Sequence, residues 1–116
     1  MKMAALLAKL GADDPACARD TAIWEAATRG GAAAFGLHAG VIAEGAAADA
    51  LLLDPGNPLL APEHQLVANL VYAADSSCVD TVVCAGRVLM ENRRVEGADE
   101  ILDAARARAR RLAAGA

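Results

Sequence analysis

Aromatic side chains are nearly missing from this sequence: Trp24, Phe35 and Tyr72 are its only three in 116 residues. A core must therefore be assembled from Ala, Leu and Val, each of which buries little area at roughly 25 cal/mol per Å². With 56% hydrophobic residues and length for one domain at most, the chain is expected to be marginal alone or to lean on a partner. Cysteine is scarce as well. Cys17, Cys78 and Cys84 form an odd set without CxxC spacing, which argues against a disulfide framework or zinc knuckle and suits a reducing cytoplasm. Positive charge is not in excess. A net charge of −4 and a pI near 5.0 argue against a nucleic-acid partner, which requires a concentrated basic surface. No apolar run is long enough to span a bilayer. The opening Met1 to Leu10 superficially resembles a signal peptide, but Lys9 interrupts its apolar run and no cleavage site follows. The expectation is a soluble, cytoplasmic protein with neither nucleic-acid nor membrane partners.

What is present reads as a mixture of helices and short strands. Met3, Leu6, Leu7 and Leu10 recur at helical spacing over residues 2–10, with Gly11 expected to stop the run and Asp13-Asp14-Pro15 to turn. A second helix is expected after Asp20 or Thr21, either able to cap it, carrying Ile23, Trp24 and Ala27 before Phe35-Gly36 ends it. Residues 40–45 read as irregular and 48–54 as a short buried strand, closed by Pro55-Gly56-Asn57-Pro58. Over 59–75 the pattern is ambiguous, although Leu66, Val67, Leu70 and Val71 suit a short helix. Val79 to Cys84 is rich in β-branched residues, Ala85-Gly86 supplies a tight turn, and Arg87 to Met90 returns as the hairpin partner. A final helix fills 98–113. Asp99 and Glu100 lie at its positive end, Arg106, Arg108, Arg110 and Arg111 toward its negative end, and Ile101, Leu102, Ala105, Ala109 and Leu112 form an apolar stripe.

Candidates for chemistry are few. His38 and His64 are the only histidines, twenty-six positions apart, in neither HxH nor HxxxH spacing; each reads as a surface residue, because a zinc site needs several ligands. No serine sits in a GxSxG elbow, and Ser76-Ser77 lie in a turn. Cys84 has no neighbouring His or basic cluster and reads as a core thiol. Asp49 and Asp54 flank a strand. As paired carboxylates they are a weak catalytic hint, and the simpler reading has both accepting backbone N–H bonds, at the strand entrance and at the turn. The residues by themselves point to no catalytic, cofactor-binding or metal-ligating set.

Four segments, in order, resemble one family. Glu44-Gly45-Ala46-Ala47-Ala48-Asp49-Ala50-Leu51-Leu52-Leu53-Asp54 resembles the E-x-G-x-x-A-D-hydrophobic-D signature near the C-terminus of amidohydrolase-superfamily enzymes. Ala27-Thr28-Arg29-Gly30-Gly31-Ala32-Ala33-Ala34-Phe35-Gly36-Leu37 is similar to the family's AT-x-x-GA helix. Leu70 to Ala74 looks like its LVY segment, and Val79 to Met90 like its closing hairpin. Met1 to Lys9 is also similar to the helix after the last barrel strand. The combination points to the branch of methylthioadenosine/S-adenosylhomocysteine deaminases, triazine chlorohydrolases and 8-oxoguanine deaminases. Two departures, Ala46-Ala47 for a glycine-lysine style pair and Ala50 for a larger aliphatic residue, could loosen the turn and strand.

The resemblance implies an α/β fold containing the terminal helices of a (β/α)₈ barrel and the C-terminal half of a small β-sandwich, incomplete as a family fold. It implies that residues 1–37 are the last barrel helices, 38–95 the C-terminal part of the sandwich, and 96–116 a helix packed outside. Glu44, Gly45, Asp49 and Gly86 would be structural. The family's divalent metal, Zn or Fe, is held by barrel histidines and an aspartate that no residue here matches. The implied function is the C-terminal portion of a metal-dependent hydrolase of C–N or C–halogen bonds in purine- or triazine-type rings, not competent alone. The implied partner is an N-terminal barrel half. The alternative is a non-catalytic α/β module that covers its apolar faces by self-association.

Overall fold

The computed structural model describes residues 1–115, which form five α-helices, a π-helical turn, three short 3-10 turns and a three-stranded sheet among the described residues. Helix α1 (Lys2–Ala12) runs two residues beyond the expected end at Leu10. Gly11 stays helical and Asp13 takes the left-handed cap at φ 50°, its N–H reaching Leu10 O. Helix α2 (Asp20–Glu25) includes Asp20 and Thr21, which the sequence reading places before it as candidate caps. Its cap, however, is Arg19 without a side-chain bond, and Asp20 instead places a carboxylate in the first turn. A π-turn, Ala26–Gly30, then leads into α3 (Gly31–Ala34), which ends at Phe35.

The sheet is built of β1 (Ala50–Leu53), β2 (Val79–Cys84) and β3 (Arg87–Met90), in that spatial order and antiparallel throughout. Leu51 pairs with Val82 and Leu52 with Thr81; Val83 pairs with Val88 and Cys84 with Arg87. The β2–β3 turn places Ala85 at φ 49° and Gly86 at φ 75°. Two positive φ values in succession make a type I′ turn, whose twist matches that of the strands it joins. Between the strands lies helix α4 (Leu66–Tyr72), and helix α5 (Ala98–Ala114) closes the described chain.

The ambiguity over 59–75 resolves through side-chain bonds to the backbone. Asn57 caps the 3-10 turn Pro58–Leu60 by accepting from the Leu59 N–H at 3.0 Å, and its Nδ2 donates to Ser77 O at 3.1 Å. Asn69 Nδ2 donates to Leu60 O at 2.8 Å and Pro62 O at 3.0 Å, fixing α4 against that turn. These bonds surround the one well-formed core, where Leu60, Leu70 and Cys78 are buried and Trp24, Leu53, Leu59 and Ala74 close over them. Cys78, not Cys84, is the core thiol; Cys84 stands exposed at the hairpin end of β2.

Beyond this core the chain is open. Its accessible surface is 8836 Å², against about 5900 Å² for a folded monomer of this mass. Its radius of gyration is 18.4 Å, against about 13 Å for a self-contained domain of this length. Large apolar side chains share in this exposure. Met3, Leu6, Leu7 and Leu10 of α1, Leu51 and Leu52 of β1, and Val88 and Leu89 of β3 are all exposed. Adjacent residues of a strand point to opposite faces, so both faces of the sheet carry uncovered aliphatic side chains. No helix among the described residues is long and apolar enough to cross a membrane.

Candidate functional site

The two histidines sit on different supports. His38 belongs to the loop between α3 and β1, which closes on itself: Ala47 N–H donates to His38 O at 2.8 Å, and His38 Nδ1 lies 3.1 Å from Gly45 O. A carbonyl only accepts, so that nitrogen carries the proton and is occupied. His64 lies in the 3-10 turn Glu63–Gln65, beside an open hollow shared with Asp20, Leu66 and Val67. Among the described residues, no three of His, Cys, Asp and Glu converge as a metal-binding group. The residues present therefore do not fit a catalytic metal, which needs several imidazole or carboxylate donors about one point.

Asp49 and Asp54 do the structural work expected of them. Asp49 Oδ1 accepts from Ala85 N–H at 2.7 Å, and Asp54 Oδ1 from Gly56 N–H at 2.9 Å. Asp54 also pairs with Arg93, tying the turn after β1 to the segment after β3. Both carboxylates are bonded into the sheet framework, and Asp49 also borders an open hollow lined otherwise by aliphatic residues, among them Val41, Ile42 and Val83. Ser76 and Ser77 form a 3-10 turn capped by Asp75, whose carboxylate accepts from Ser77 N–H at 2.8 Å. Ser77, through its hydroxyl foremost and its N–H second, holds the Asp75 carboxyl below the ordinary aspartate value.

One interaction escaped the sequence reading. Lys9 Nζ donates to Pro15 O at 2.6 Å and to Cys17 O at 2.7 Å, clipping the turn after α1 onto the helix. The signal was a lone lysine inside an apolar run, and what it signals is a local staple. Another concerns Gly40, at φ 77°. A Cβ there would stand 2.6 Å from both the carbonyl carbon and oxygen of Thr28. The loop thus lies directly on the backbone of the π-turn, where Thr28 Oγ1 donates to Trp24 O at 2.9 Å.

A cleft of about 290 Å³ lies between helices and sheet and is lined chiefly by Met1, Trp24, Leu51, Leu53, Leu70 and Cys78. It is apolar, with Asp75 its sole acidic or basic lining side chain. A wider hollow of about 830 Å³ follows β3 into residues 91–96 and is open to solvent. Neither gathers a nucleophile, a base and a charge-stabilising group, the minimum for a catalytic site.

An α/β segment of this kind, with its sheet faces uncovered, is similar to part of a larger hydrolase. Residues 1–89 match the model of the Amidohydrolase family, and the chain belongs to that family. Within it, the chain is 46% identical over 119 residues to 5-methylthioadenosine/S-adenosylhomocysteine deaminase 1 of Archaeoglobus fulgidus, covering all of this chain and 28% of that protein. It is 40% identical over 112 residues to the 5'-deoxyadenosine deaminase of Methanoregula boonei, covering 97% of this chain and 25% of that one. Among solved structures, it is similar to an adenosine deaminase from Xanthomonas campestris with bound zinc, at a TM-score of 0.81 and 33% identity, over 95% of this chain and 26% of that one. The chain spans about a quarter of the length of the relatives it matches.

Proposed function

We propose that this chain is the C-terminal scaffolding segment of a metal-dependent amidohydrolase that deaminates adenosine-type nucleosides. Residues 1–37 act as the last helices of the barrel, 38–95 as the C-terminal part of the small β-sandwich, and 96–116 as a C-terminal helix. None of its side chains is assigned a catalytic, cofactor-binding or metal-ligating role. Zinc, carried by the Xanthomonas campestris deaminase, is to be held by residues outside these 116. The free thiols of Cys17, Cys78 and Cys84 suit a reducing cytoplasm.

The observation that carries this reading is the pairing of two facts. Identity to named deaminases extends over nearly all of the chain, while its surface exceeds that of a self-contained domain by about 3000 Å². A surplus of that size, together with aliphatic side chains exposed on both sheet faces, is what remains when a layer of the fold is supplied from elsewhere. The expected occupant of the sheet and α1 faces is the N-terminal barrel portion.

The test is complementation. The 116-residue chain is mixed with an N-terminal portion of a family deaminase carrying its metal ligands, zinc is added, and ammonia release from adenosine, 5'-deoxyadenosine and 5'-methylthioadenosine is followed. Turnover by the mixture and by neither part alone is the expected result. Silence with all three nucleosides, under zinc and iron alike, would overturn the proposal.

A further inference from the structure

Helix α5 is little covered by the rest of the described chain. Ala98 is half-buried and every residue from 99 to 115 is exposed, including Ile101, Leu102 and Leu112. It also lies beyond residues 1–89, the part that matches the family model. Ala98, Leu102, Ala105, Ala109 and Leu112 recur at spacings of four, three, four and three, the seven-residue repeat of a seam between two helices. Alanine at three of the five positions lets two helix backbones approach closely. The charges are sorted along the axis: Asp99, Glu100 and Asp103 occupy the first half, and Arg106, Arg108, Arg110 and Arg111 the second. Only Asp103 and Arg106 pair within the helix, at 3.1 Å.

We propose that α5 is a homodimerisation helix, packing antiparallel against α5 of a second copy of this chain. Two such helices running in the same direction set acid against acid and arginine against arginine. Running in opposite directions, each acidic half meets a basic half, and the twofold axis makes the match occur twice. The register that seats Leu102 of each copy over Ala105 of the other also brings Asp99 beside Arg106 of the second copy, because these positions flank the seam. Macrodipoles lying side by side in opposite directions add to the preference. The surplus surface leaves room for this contact beside the one at the sheet, since a standard interface takes only about 800 Å² from each partner. The dimer does not depend on the chain being part of a deaminase.

The experiment is sedimentation equilibrium of the full 116-residue chain at low and at about 0.5 M salt, with charge-reversed variants. The expected species is a dimer that weakens with salt. Arg106→Glu and Asp99→Arg should each raise its dissociation constant about tenfold, because each turns two attractive pairs into repulsive ones. Asp99→Arg with Arg106→Glu should restore it to within about threefold of the parent. Far-UV circular dichroism confirms that the helix persists, and Ala105→Glu, which loads the seam itself, should abolish the dimer. A monomer at every concentration, an assembly indifferent to the single reversals, or a double variant no better than the singles would overturn the proposal; the last two would place the contact on another face.

Discussion

Asp49 Oδ1 receives the backbone N–H of Ala85 at 2.7 Å, joining positions 36 residues apart, and Gly86 N–H donates to Ala48 O at 2.9 Å beside it. The strand entrance therefore grips the tip of the β2–β3 hairpin. Ala85 sits at φ 49°, a left-handed conformation costing an L-residue about 1 kcal/mol, and the Asp49 carboxylate helps to hold it there. Removing the acceptor by Asp49→Ala should destabilise the chain by about 1 kcal/mol, the low end for a bond to a charged group because the site is exposed. Urea unfolding of the two proteins side by side measures it. Ala85→Gly should shift the midpoint the opposite way, since glycine adopts this conformation without the steric cost.

Gly40→Ala should be among the most damaging small substitutions in the chain. The added methyl meets the Thr28 backbone at 2.6 Å, and neither a peptide group nor a π-turn can step aside cheaply. A loss of about 3 kcal/mol is expected from overpacking and positive φ together. It should show as a lower melting temperature and as faster proteolysis within residues 35–49.

Asn69→Ala removes two donors at once, leaving the carbonyls of Leu60 and Pro62 without their side-chain partner. Leu60 is 4% exposed, so its oxygen is poorly placed to recover a bond from water. The expected cost is about 2 kcal/mol. Amide exchange in residues 58–65 should accelerate more than in β2, which distinguishes local release of the turn from global loosening.

Asp75 should titrate below a typical aspartate, because Ser77 hydrogen-bonds its ionised form. A folded-state value below the unfolded one means that the stabilisation is fully present above the unfolded value and is lost as pH falls through the folded one. Ser77→Ala removes the larger contribution and keeps the backbone one, so the Asp75 carboxyl should move part of the way up. Carbon-detected NMR titration of that carboxyl reads the change. An unmoved midpoint would show that the hydroxyl plays no part.

Dialysis of the 116-residue chain against zinc, followed by elemental analysis, should leave well below one equivalent bound. His38 Nδ1 is engaged by Gly45 O and His64 stands on a separate turn, so neither has company enough to make a cage. Stoichiometric zinc would contradict the placement of the metal outside these residues.

Much of the fold was legible where chemistry is local. Strand β2, the Ala85-Gly86 turn and α5 follow from β-branched runs, turn residues and sorted charge, and both aspartates flanking β1 accept backbone N–H bonds as read. Boundaries failed where a neighbour decides them. Gly11 was expected to end α1, but the Asp13 cap and the Lys9 clip onto Pro15 and Cys17 carry the helix past it. Cys84 looked like a core thiol by its strand, whereas its position at the hairpin end exposes it and the turn before β2 buries Cys78. The π-turn at Ala26–Gly30 was not legible at all, because nothing in its residues announces the contact with Gly40. As for the site, the residues named none. Membership of the family was legible from motif order, and the sequence is silent on which nucleoside is taken.

The bare aliphatic rows on α1, β1 and β3 have a consequence for the living cell. Chaperones and degradative proteases recognise such rows, so a copy without the covering portion proposed above should be short-lived. Its abundance would then follow that of the polypeptide covering it. Pulse-chase labelling with and without co-expression of the barrel portion would reveal that dependence as a difference in half-life.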